Sequence, residues 1–167
     1  MSNRTQRKGF TIIEVVLVLA IAGLIFLMVF IALPALQRNQ RDSQRKNDFS
    51  RLQTALTNYT SNNRGALPTN WTTFETSYLK ANNDSFVDPS GPSTTQGSGV
   101  TAYVLTSSTT LDISSTTFAS AQNIIYYSAG YVCSATNNAV VTTSGGGSRK
   151  VAFRMVLEGG GVICANN

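Results

Sequence analysis

Few side chains in this sequence are equipped for chemistry. The chain has no histidine, so the commonest general base and metal ligand is missing. Its two cysteines would need several carboxylates beside them to complete a zinc site. A hydrolase needs a nucleophile with a base, and without histidine only a Ser-Lys dyad would remain, for which no motif exists here. The expectation is therefore a protein that is not an enzyme. What is left is one acid in an unusual place, one pair of cysteines and three scattered aspartates. Glu14 sits within an apolar stretch. Cys133 and Cys164 form a disulfide if the chain is exported, whereas a cytosolic chain would more often keep two unrelated thiols. Asp84, Asp88 and Asp112 offer oxygen ligands to calcium but lack the spacing of an EF-hand loop, and solvated turn residues are their simpler reading.

The element that must position Glu14 is unmistakable. From Val15 to Leu36 every residue is apolar, Gly or Pro. Counted from Phe10 to Leu33, the segment forms about 36 Å of helix, enough to cross a hydrocarbon core of ~30 Å. A secretory signal peptide is the alternative, because Arg4, Arg7 and Lys8 precede the run. The run is too long for that, however, and no small-residue cleavage site precedes Gln37. An ionised Glu14 would cost roughly 2.5–3.5 kcal/mol near a bilayer centre and less at its edge. It is either a functional acid or a first-turn residue that snorkels and complements the helix dipole.

The string Lys8-Gly9-Phe10-Thr11-Ile12-Ile13-Glu14 with the apolar run behind it resembles the processing signal of type IV pilins, type II secretion pseudopilins and competence pilins. The resemblance implies cleavage by a prepilin peptidase between Gly9 and Phe10, N-methylation of Phe10, and a role in filament assembly for Glu14 at the fifth mature position. The physical sense is independent of the family. Cleavage leaves a cationic amine at Phe10, and an apolar bundle would strand that charge without a nearby anion. A neighbouring subunit's Glu14 would fix the register between helices, while the i,i+4 spacing also admits a contact within one helix. Gly23 matches the family position, nine residues after Glu14, but Pro34 lies later than the usual proline. Either helical order is lost locally between them or Pro34 kinks the helix at the membrane exit. Positive charge flanks both ends of the span, so charge counting does not orient it. The resemblance places the leader inside and the C-terminal domain outside, with the precursor single-pass in the cytoplasmic membrane and the assembled subunit at the cell surface.

Beyond the span, residues 37–48 are polar and lack Pro and Gly, so the helix should continue. Phe49, Leu52, Ala55, Leu56 and Tyr59 then mark one helical stripe that should pack on a sheet. Gly65 and Pro68 stop the helix. The basic cluster at 38–51 reads as a solvated helix face near lipid headgroups rather than a DNA site. Residues 66–99 read as loop, with a short helix near Trp71–Lys80. Strands are expected at Val100–Thr106, Asn123–Cys133, Ala139–Thr143 and Val151–Glu158, with Val162–Cys164 returning beside the last. Val151–Glu158 alternates with a period of two and should bury one face. Trp71, Tyr126, Tyr127 and Tyr131 read as core and sheet-face packing. Sequons begin at Asn58, Asn70 and Asn83, and a Thr-rich chain produces such triplets by chance. The fold class is α+β: a long N-terminal helix, half transmembrane and half amphipathic, on a small antiparallel sheet. The expected organisation is a leader at 1–9, a membrane and filament-core helix at 10–36, its amphipathic continuation at 37–65, and an exported head at 66–167.

The net charge of +5 from 13 Lys+Arg and 8 Asp+Glu lies wholly in the first 51 residues. The rest holds five bases and five acids, so the head shows no basic excess for nucleic acid. By resemblance, the chain is a structural subunit of a type IV pilus, a fibre for adhesion, twitching motility or DNA uptake. Its partners would be copies of itself, the peptidase, the membrane, an assembly platform with its ATPases, and DNA or a host surface. No cofactor is expected unless calcium binds. The Asp88-Pro89-Ser90-Gly91 segment before Tyr103 is similar to one in pseudopilins, some of which bind calcium in this half of the domain. A type II secretion pseudopilin is therefore one alternative, and a bitopic surface receptor that never polymerises is another.

Overall fold

A computed structural model describes residues 9–81, 85–91 and 102–167. The leader bases Arg4, Arg7 and Lys8, the sequon at Asn83, Asp84, and the start of the strand expected at 100 lie outside the described residues. The chain divides into two compact units, Met1–Gln37 and Arg38–Asn167. Helix α1 runs over Ile12–Asn62 and is helical through both Gly23 and Pro34. Within the first unit its large apolar side chains from Ile12 to Leu36 are exposed. A helix of this length and composition is able to cross a membrane, and nothing among the described residues of the unit covers it.

In the second unit the remainder of α1 supplies one wall of the core. Phe49, Leu52, Ala55 and Leu56 are buried, each larger apolar side chain contributing roughly 1.5–3 kcal/mol. Tyr59 packs at the edge of the same cluster. The helix ends at Asn62, after which Arg64 and Gly65 take left-handed backbone. Helix α2, Trp71–Phe74, is capped by Asn70, whose Oδ1 accepts from Thr73 N at 3.0 Å, and passes directly into a π-helical turn, Glu75–Leu79. Trp71 stacks on Tyr127 and meets Phe74 and Phe153 edge-on.

The strands are β1 (Val104–Ser107), β2 (Ile124–Ala129), β3 (Val132–Cys133), β4 (Val141–Thr142), β5 (Val151–Val156) and β6 (Val162–Asn166). They form a four-stranded sheet in the order β1-β2-β5-β6 and a separate β3-β4 pair. The architecture is the expected α+β, with three corrections to its detail. The sheet is mixed, because β1 runs parallel to β2 while the β2-β5 and β5-β6 pairs are antiparallel. Residues 108–123, including helix α3 (Phe118–Ala121), form a crossover long enough to return the chain in the same direction. The run expected as one strand over Asn123–Cys133 also breaks in two at Gly130.

The third correction concerns β5. Its alternation suggested one buried face, yet all six residues are buried. Val151, Phe153 and Met155 meet the core shared with α1. On the other face, Val156 packs with Ile113, Ala121 and Ala139. Arg154, fully buried, donates to the carbonyls of Thr110, Leu111 and Ala139 at 2.7, 3.0 and 2.9 Å. A charged residue on the apparent outer face is thus covered by chain that returns over the sheet.

Candidate functional site

The first unit presents its chemistry at one end. Gly9 and Phe10 precede the helix, and Phe10 is 88% exposed. Thr11 and Glu14 form a capping box: Thr11 N and Oγ1 each donate to Glu14 Oε2 at 3.1 Å, and Glu14 N donates to Thr11 Oγ1 at 3.4 Å. The box satisfies donors that a helix start leaves open and places the carboxylate at the positive end of the dipole. Glu14 is exposed together with Val15, Val18 and Leu19. The Thr-x-x-Glu spacing of a capping box is legible in the sequence.

The second unit contains a buried ion cluster that sequence reasoning missed. Arg45, fully buried, offers its guanidinium fork to Asp88, with Nε to Oδ2 and Nη2 to Oδ1 both at 2.9 Å. Its Nη1 reaches Asp42 Oδ1 at 2.7 Å and Glu158 Oε2 at 3.3 Å, and its Nη2 also donates to Ser90 Oγ. Arg41 pairs with Glu158 at 2.5 and 2.7 Å. Asp42 accepts from the backbone N–H of Glu158 at 2.9 Å and of Gly159 at 2.7 Å. A Cβ at Gly159 would lie 2.9 Å from Asp42 Oδ2, so any larger residue would displace that carboxylate from its partners. Phe118 closes the site, 4.4 Å from the Arg45 guanidinium carbon.

Burial opposes the charge on Arg45, but the hydrogen bonds and field of Asp88, aided by Asp42 and Glu158, raise its pKa above the ordinary arginine value. The hydrogen bond from Arg41 holds Glu158 below the usual carboxylate range. Nearby, burial raises Asp48 and pushes the Tyr103 hydroxyl well above an ordinary phenol. These groups are static partners. The site joins α1 to the turns at 88–90 and 158–159.

This geometry corrects part of the reading of the 38–51 cluster as a solvated face: Arg38 and Lys46 are exposed, but Arg45 is buried with Asp42 and Asp48. It also revises Asp88, which is a buried partner of Arg45 rather than a solvated turn residue. Asp112 is exposed and accepts from Ser114 N at 2.8 Å. Among the described residues no group of three or more acids or cysteines is arranged to hold a metal ion. Cys133 and Cys164 are joined in a disulfide with a Cα separation of 5.9 Å, tying β3 to β6.

Residues 4–30 match the family model of the prokaryotic N-terminal methylation motif, the processing signal of type IV pilins and pseudopilins. The chain carries a prepilin signal. No curated protein and no solved structure gives a significant match to it. A prepilin signal of this kind implies processing by a prepilin peptidase and polymerisation into filaments, and the motif is a structural one, not known as enzymatic. Followed by an apolar helix, it suggests a membrane-anchored precursor.

Proposed function

We propose that the chain is a pilin, a structural subunit of a type IV pilus. In this reading the prepilin peptidase cuts between Gly9 and Phe10, Phe10 is N-methylated, and the subunit leaves the membrane by exchanging lipid for the helices of other copies. The observation that carries the reading is the coincidence of the methylation motif with a bare apolar helix whose single acid is Glu14. An exposed apolar helix is stable in lipid or against its own kind, and helix packing in a fibre core supplies the second. The new amine of Phe10 then needs a carboxylate, and Glu14 is the one carboxylate between Phe10 and Leu36.

The test is a strain expressing Glu14→Ala or Gly9→Ala. Both variants should keep the head folded and the disulfide formed, and neither should enter fibres, Gly9→Ala because it blocks cleavage. Normal fibres from the Glu14→Ala strain would refute the pairing role. A pseudopilin shares the motif, so the two readings part at the product: long surface fibres containing this chain support the pilus, and a secretion defect without such fibres supports the pseudopilin.

A further inference from the structure

In the second unit the end of α1 and the α2 segment enclose a cavity of about 280 Å³. Its apolar lining is aromatic: Tyr59 from α1, Phe74 from α2 and Tyr78 from the π-helical turn. These rings pack on one another. Tyr59 meets Phe74 and Tyr78 edge-on, at centroid distances of 5.5 and 5.2 Å, and Phe74 stacks on Tyr78 at 5.7 Å.

The rest of the lining is polar and uncharged. Along these elements Ser50, Thr54, Thr57, Ser61 and Thr76 each spend their hydroxyl on the carbonyl four residues earlier, at 2.8–3.2 Å. In the cavity the pattern changes. Thr69, Thr73 and Ser77 are exposed, and among the described residues their hydroxyls have no hydrogen-bond partner. Two amides beside them are held at one end. Asn63 Nδ2 donates to Tyr59 O at 2.8 Å, and Asn70 Oδ1 accepts from Thr73 N at 3.0 Å. Asn63 keeps an acceptor oxygen and Asn70 its donor nitrogen, both oriented before any ligand arrives.

This lining selects among ligand classes. Because no charged side chain lines the cavity, an ion would find no partner there to offset its desolvation. A purely apolar guest would strand the hydroxyls and amides. A planar base needs a slot for stacking, and rings in contact with one another leave none between them. A sugar ring combines many neutral hydroxyls with an apolar C–H face, which is the complement of this wall. The volume lies just below the ~300 Å³ at which pockets for drug-sized ligands begin, so it suits one ring and not a chain.

We infer that the cavity binds one neutral pyranose ring, the terminal sugar of a glycan. Thr69, Thr73, Ser77 and the two amides meet its hydroxyls, and the aromatic rings meet its C–H groups. The site lies wholly within the second unit, so it does not rest on whether the chain polymerises.

The test is saturation-transfer NMR on the full chain in a polyoxyethylene detergent, which has no sugar headgroup. The probes are the methyl pyranosides of glucose, galactose and mannose and N-acetylglucosamine, with sorbitol as an open-chain comparison and glucuronate as an anionic one. At least one neutral ring should bind saturably, with a dissociation constant on the order of 1 mM, and sorbitol and glucuronate about tenfold more weakly or worse. The ring that binds fixes the stereochemistry the site accepts. Thr73→Val/Ser77→Ala, which removes two hydroxyls and little volume, should weaken binding on the order of tenfold. Thr69→Val, in the loop before α2, should weaken it about threefold without touching a helix. Thr57→Val/Ser61→Ala, the same exchange on an exposed stretch of α1 outside the cavity, should change it less than about twofold. No binding by any of the four neutral rings, sorbitol or glucuronate bound as tightly as the rings, or equal loss from the cavity and control variants would overturn the inference.

Discussion

At Glu14 one carboxylate caps its own helix through Thr11 and, in the proposed fibre, meets the amine of a neighbour. Only Oε2 takes part in the capping box, which leaves Oε1 for an incoming cation. The Glu14→Ala strain should therefore lose fibres while its head stays folded, as checked by fibre yield beside disulfide status. Arg45 is the opposite kind of charge, satisfied within its own head. Truncation to Ala would leave Asp88 and Asp42 buried without their cation, and breaking a buried pair costs about 3–5 kcal/mol. Denaturant unfolding of the solubilised full chain should show that loss for Arg45→Ala. Glu158 sets a pH dependence. Because its folded pKa lies below the ordinary value of 4.5, its contribution is complete above that value and is lost as pH falls through the lower folded one. The unfolding midpoint should drop across that acid range, and Glu158→Gln should flatten the drop.

At the scale of elements, the parts that read plainly from sequence were those whose signal is local. The apolar run and the stripe from Phe49 to Tyr59 needed no partner to be recognised, and both are helical as expected. The stripe in fact begins earlier. Asp42, Arg45, Phe49, Leu52 and Leu56 share one face, but its first two members are charged and so resembled a solvated surface. Their partners are Asp88 and Glu158, at sequence separations of 43 and 113, and no local pattern announces such a pairing. The parallel β1 and the double burial of β5 escaped for the same reason, since both depend on where the 108–123 segment returns. The disulfide is the element-scale staple. It closes a sequence separation of 31, so a Cys133→Ser/Cys164→Ser variant should lose about 3–4 kcal/mol by the chain-entropy relation. Denaturant unfolding with and without reductant checks this: reduction should lower the wild type to the level of the variant.

For the whole molecule, the net charge divides into parts with different fates. Three of the bases behind the net +5, Arg4, Arg7 and Lys8, fall in the leader that the proposed cleavage removes. Two more, Arg41 and Arg45, are spent inside the head. Among the described residues, the exposed bases are Arg38 and Lys46 on the helix and Arg64, Arg149 and Lys150 in the second unit's turns. The central claim is that this chain is processed after Gly9 and assembled through its apolar helix. The most direct test is the N-terminal sequence and intact mass of the subunit recovered from sheared surface fibres. The account predicts a chain that begins at Phe10, heavier by one methyl group and lighter by two hydrogens for the disulfide. A subunit that retains Met1–Gly9, or fibres that lack this chain, would contradict it.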